Sequence, residues 1–104
     1  MDGQGLEQLK QKAGEVSELL SKLANPDRLL LLCTLAEQEC NVSELAARTG
    51  IQQPTLSQQL TVLRNQALVG TRREGKYIYY HLHDERVLSL MQAMYEIFCA
   101  HKPI

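Results

Sequence analysis

Three thiols, Cys33, Cys40 and Cys99, are the groups in this 104-residue chain most able to do covalent chemistry. A cysteine reacts or binds metal as its thiolate, so such a residue is a free thiol, a metal ligand or a redox group according to its surroundings. The count alone leaves these three open. The histidines, His81, His83 and His101, have a spacing that matches no compact zinc set. There is no glycine-rich phosphate loop, no paired-carboxylate arrangement and no nucleophile–base motif. The sequence therefore gives no reason to expect an enzyme, a metal site or a bound cofactor.

A second kind of chemistry is carried by side chains that hydrogen-bond to bases. Between Ile51 and Val62 there is no charged residue. Leu56, Leu60 and Leu63 recur at steps of four and three, the inward face of a helix over about 53–66. The outward positions include Gln53, Thr55, Ser57, Gln58 and Gln59. Amides and hydroxyls both donate and accept hydrogen bonds at base edges and phosphates, and an acidic residue there would repel phosphate. Arg64 near the helix end is placed for a phosphate. Arg72, Arg73 and Lys76 bracket a glycine turn and form a cationic tip suited to phosphate or the minor groove.

The charge distribution agrees. The formal net charge is -1, yet residues 48–77 hold five basic residues against Glu74 alone, a local +4, while residues 1–47 carry a local -4. One face is thus suited to a polyanion and the other is not.

The elements that must position these groups follow from periodicity and punctuation. The length suits a single domain over 1–104, and 44% apolar residues supply a modest, leucine-rich core. No apolar run approaches the ~20 residues of a membrane span. The first residues lack a signal-peptide core, so the chain reads as cytoplasmic. A first helix is expected over about 5–23, ended by Asn25-Pro26, which also opens a second helix running to about Glu37. Its four consecutive leucines predict a nearly buried element. A third helix, capped by Ser43, stops at Gly50. After the 53–66 helix the period changes. Leu68–Arg73 and Tyr77–Leu82 around Glu74-Gly75-Lys76 read as a β-hairpin. A last helix covers about 84–100. The expected fold is mainly α with a β-hairpin wing: a winged helix-turn-helix of four helices, hairpin and helix.

Four stretches in combination carry a family resemblance: LANPDRLLLL, VSELAARTG, TLSQQLTVLRNQALV and the wing RREGKYIYY. From about Leu23 to Leu82 the sequence resembles the ArsR/SmtB family of bacterial repressors. Gln59 departs from it, since many members have histidine there. The resemblance implies a homodimer joined through the first and last helices, acting on double-stranded operator DNA and released by a metal or other signal.

The family's metal patterns are incomplete here. Its arsenic-sensing pattern places cysteines around the valine before the third helix, where this chain has Asn41-Val42-Ser43, with Cys40 one residue outside. Its zinc-sensing pattern on the last helix fails at Asp84-Glu85-Arg86 and at Ile97. The positions of Cys33 and Cys99 instead resemble a thiol-based subgroup, the BigR, SqrR and HlyU-like sensors. In these the two positions become joined by a disulfide or polysulfide. The resemblance thus implies a repressor that releases DNA when reactive sulfur species or oxidants link Cys33 to Cys99. Cys40 reads as peripheral. Local electrostatics singles out neither thiol as nucleophile. Burial among leucines disfavours charge at Cys33, and a helix C-terminus disfavours it at Cys99. A metal-responsive repressor with an atypical site and a constitutive DNA-binding module are the alternatives.

Overall fold

The computed structural model describes residues 3–100, with the side chain of Ala100 left aside. The chain runs α1 (Gly3–Leu23), α2 (Pro26–Glu37), β1 (Cys40–Asn41), α3 (Val42–Thr49), α4 (Thr55–Asn65), β2 (Val69–Glu74), β3 (Tyr77–Leu82) and α5 (Glu85–Tyr95). A π-helical turn, Glu96–Ala100, extends α5. This is a mostly helical winged helix-turn-helix with a three-stranded antiparallel sheet ordered β1-β3-β2.

Local chemistry sets most boundaries. The side chain of Asn25 accepts from the backbone N–H of Arg28 at 3.1 Å and so caps α2, with Pro26 in its first turn. Gly50 ends α3 in the left-handed conformation, at φ 75°. Gly75 turns the hairpin with φ 61°. The cap of α3 is Asn41 rather than Ser43. Asn41 accepts from Glu44 N–H at 2.9 Å, and the Glu44 carboxylate accepts from Asn41 N–H at 3.0 Å. This reciprocal box needs an acidic or amide side chain three residues into the helix. Asn41 has Glu44 there, whereas Ser43 already lies inside the helix.

Leu31, Leu32 and Leu35 of α2 pack with Leu45, Leu56, Leu60, Leu63, Leu68, Val87 and Met91 in one buried core. The expectation that α2 is nearly buried on all sides needs correcting. Leu30 is 50% exposed, because neighbouring elements enclose only part of the helix circumference and its side chain opens onto a cleft described below. The strand β1, absent from the sequence reading, pairs Cys40 with Tyr80 and Asn41 with Tyr79. Two residues are too few to show an alternating pattern.

The wing is fixed closely at its root. In the Gly70–His81 pair, a Cβ on Gly70 would lie 2.6 Å from the His81 Nε2 atom. Gly70→Ala is therefore expected to displace the imidazole and destabilise the fold by about 1–3 kcal/mol. Thermal melting checks this, and an unchanged midpoint would contradict it.

Candidate nucleic-acid interface and thiol site

The helix-turn-helix is α3, Gly50 and α4. Leu56, Leu60 and Leu63 are buried and fix the rotation of α4 about its axis. That rotation leaves Gln53, Ser57, Gln58 and Arg64 exposed and Thr55 and Gln59 half-buried. The sequence-expected residues therefore all lie off the buried face of α4, but their freedom differs. The Gln53 side chain accepts from Ser57 N–H at 3.0 Å, satisfying an amide in the first turn of α4. The Gln59 Oε1 atom accepts from Arg28 Nε at 2.8 Å. Thr55, Ser57, Gln58 and Arg64 have no side-chain hydrogen bond or ion pair among the described residues, so their polar groups need no rearrangement to meet a ligand.

The three wing cations also differ. Arg72 is spent on the protein: its Nε donates to Glu39 Oε2 at 2.7 Å and its Nη1 to Glu74 Oε2 at 2.9 Å. Its guanidinium also lies 4.8 Å from the centroid of the Tyr79 ring. Hydrogen bonds to Glu39 and then Glu74 push its pKa above the ordinary arginine value. Arg73 donates to Gly75 O at 3.2 Å, and the Lys76 ammonium lies 5.5 Å from the Tyr77 ring centroid. Neither has a carboxylate partner among the described residues.

The thiols occupy three environments. Cys40 is fully buried in β1, and burial raises its pKa against the opposing charge of Arg48. Cys33 is half-buried on α2, with its sulfur 3.5 Å from Met91 Sδ. Burial raises the Cys33 pKa, and the charges of Cys99 and then Glu37 raise it further. Cys99 lies in the π turn that continues α5, where it is exposed. Both are free thiols.

Cys33 opens onto a cleft of about 730 Å³ between α2 and α5, lined also by Leu30, Glu37, Arg48, Met91 and Tyr95. A small reagent can thus reach Cys33 without unfolding the core. Iodoacetamide is expected to alkylate Cys99 first, Cys33 more slowly and Cys40 last. The Cys33 rate should keep climbing above the pH at which an ordinary thiol has levelled off, because its raised pKa delays thiolate formation. Mass spectrometry of quenched samples across pH reads the order. Cys33 levelling first would contradict the assignment.

The one acidic side chain that remains of the family's zinc pattern, Asp84, is already committed. Asp84 caps α5 through Arg86 N–H at 2.9 Å, and the Arg86 guanidinium grips both its oxygens, at 3.1 and 2.7 Å. Those hydrogen bonds from Arg86 lower the Asp84 pKa. No group of three histidine, cysteine or carboxylate side chains is placed to hold a metal among the described residues. His101 lies outside them.

Residues 25–71, the helix-turn-helix and the start of the wing, match the family model described as "Bacterial regulatory protein, arsR family". The chain is 52% identical to the biofilm growth-associated repressor of Agrobacterium fabrum, over 88% of this chain and 79% of that one. The chain belongs to the ArsR family. Its structure is similar to that of the transcriptional repressor BigR from Xylella fastidiosa, with a TM-score of 0.84 and 49% identity over 91% of this chain and 97% of that one. It is also similar to reduced HlyU from Vibrio cholerae, with a TM-score of 0.80 and 32% identity over 89% and 98% of the two chains. This ArsR-family chain is thus a transcription regulator and not an enzyme. None of its described helices is long and apolar enough to cross a membrane.

Proposed function

We propose that this ArsR-family protein is a cytoplasmic homodimeric repressor that leaves its operator when Cys33 and Cys99 become linked by a disulfide or polysulfide. The observation that carries the reading is a pair of free thiols on two packed helical segments, Cys33 on α2 where it lines an open cleft and Cys99 exposed in the turn that extends α5. Two similar structures, a repressor and a relative in its reduced form, support it.

The chemistry needs one thiolate at a time. A low-molecular-weight persulfide, RSSH, delivers its outer sulfur to one protein thiolate and leaves as the thiolate RS⁻. The second protein thiolate attacks the inner sulfur of the new protein persulfide, which closes the disulfide and expels hydrosulfide. Peroxide reaches the same bond through a sulfenic acid, which condenses with the second thiol and loses water. A longer polysulfide link would retain added sulfur.

Dimerisation uses the faces of α1 and the last helix. Leu6, Leu9, Val16 and Leu20 on α1 and Tyr95, Ile97 and Phe98 at the other end are each at least 40% exposed in the single chain. Exposed apolar area of this extent on so small a protein marks an interface. A two-fold dimer presents two α4 helices and two wings to paired half-sites. Thr55, Ser57 and Gln58, with Gln53 and Gln59 at the margin, read base edges. Arg64, Arg73 and Lys76 hold phosphates, and Arg72 chiefly holds the wing in place.

The test is an anisotropy titration of operator DNA with reduced protein, repeated after a sulfane-sulfur donor or peroxide. A fall in affinity that dithiothreitol reverses supports the proposal. Zinc or arsenite producing the fall at stoichiometric amounts, with thiol reagents inert, would replace it with a metal-responsive repressor.

A further inference from the structure

One guanidinium joins three helices. Arg28 sits half-buried near the start of α2. Its Nη1 donates to Lys22 O at 3.1 Å, one of the carbonyls left without a partner at the end of α1. Its Nε donates to Gln59 Oε1 of the recognition helix at 2.8 Å. Arg28 and Cys33 belong to the same uninterrupted helix, α2. They are five residues apart, roughly 7.5 Å along its axis.

We propose that Arg28 is the positioning residue through which a change at the thiol site reaches the recognition helix. The inference rests on the thiol-switch reading above. A helix moves as a stiff rod over this length, so a bond that pulls Cys33 toward the end of α5 also displaces Arg28. Leucines of α2 and α4 also share the buried core, and the hydrophobic effect that holds them there has no preferred direction. A charge-assisted hydrogen bond of 2.8 Å is directional and is lost over a fraction of an ångström. Arg28 therefore transmits motion of α2 to α4, and its grip on Lys22 O refers that motion to α1.

The experiment measures the ratio of operator affinities, reduced to oxidised, in the full-length protein. Oxidation uses diamide. The S–H bonds of Cys33 and Cys99 break, an S–S bond forms, and the azo group takes up the two protons and two electrons to become a hydrazine. Arg28→Met keeps an unbranched apolar stem and removes the donors. Gln59→Leu removes the acceptor. In both, the ratio is expected to fall toward 1 from a wild-type value in the range of about 5 to 150. The double variant should be no lower than either single one. Gln59→Glu restores an acceptor for Arg28 but brings negative charge toward phosphate. It should weaken binding in both states while keeping the wild-type ratio, a split that a general packing defect would not produce.

Gln59→Leu tests the contact from the α4 side if Arg28→Met melts below the assay temperature. Wild-type ratios in both Arg28→Met and Gln59→Leu overturn the inference and leave the thiol switch standing. A wild-type protein whose affinity ignores oxidation overturns the thiol switch, and this inference with it.

Discussion

Cys33→Ser and Cys99→Ser are each expected to stay on operator DNA after treatment with a sulfane-sulfur donor, while the wild type loses affinity by about 5- to 150-fold. The link needs two sulfurs, so one serine abolishes it whichever thiolate attacks first. The wild-type change corresponds to a coupling of about 1–3 kcal/mol, within reach of one covalent constraint between two helices. Cys40→Ser should respond as wild type, because its sulfur is fully buried in the core, where it donates to Gln38 O at 3.7 Å. The substitution places a hydroxyl in the core and can lower stability, so the affinity ratio and not expression level is the readout. Anisotropy titrations in the two redox states measure it, and mass spectrometry of the treated protein separates a disulfide from a polysulfide by the retained sulfur. Either single variant releasing DNA as fully as wild type would end the dithiol reading.

Arg73→Ala and Lys76→Ala are expected to weaken binding by similar factors on every sequence and to flatten its dependence on salt. Each wing cation that neutralises one phosphate contributes about 0.9 to the slope of log affinity against log salt. A dimer carries two wings, so either variant should reduce the slope magnitude by roughly 1.8. Arg72→Ala should change it less. Its guanidinium already bonds to Glu39 and Glu74, and its removal acts mainly on wing position. Both pairs are solvent-exposed and individually weak, so thermal stability should fall only slightly. Titrations from low to high salt give the slopes. A larger slope change for Arg72 than for Arg73 would show that phosphate captures Arg72 from its carboxylates.

The sequence alone determined the order of the helices and the hairpin, the buried face of α4 and the family resemblance. These rest on local physics. Leucines at steps of four and three have one way to face a core, Asn25 and Gly50 satisfy helix ends beside them, and Gly75 makes a turn within its own hairpin. The same locality explains the smaller errors. Ser43 and Asn41 are both good caps by type, and only the Glu44 carboxylate folding back onto Asn41 N–H chooses between them. The two residues of β1 take their strand conformation from Tyr79 and Tyr80, some forty positions away, and leave no period to read.

The candidate site was legible as a set of residue types but not as an arrangement. Gln53, Thr55, Ser57, Gln58 and Gln59 look alike in the sequence. Tertiary structure alone decided that Gln59 is held by Arg28, and it likewise tied Arg72 to Glu39 while leaving Arg73 and Lys76 without carboxylates. The contact of Cys33 with Met91 spans 58 positions, and the half-exposed Leu30 within a run of leucines marks a cleft that no hydrophobic period reveals. The two thiols were visible from the start as groups that could react. Packing α5 against α2 is what puts Cys33 at a cleft between the two helices, because residues distant in the chain meet only when the core between them closes.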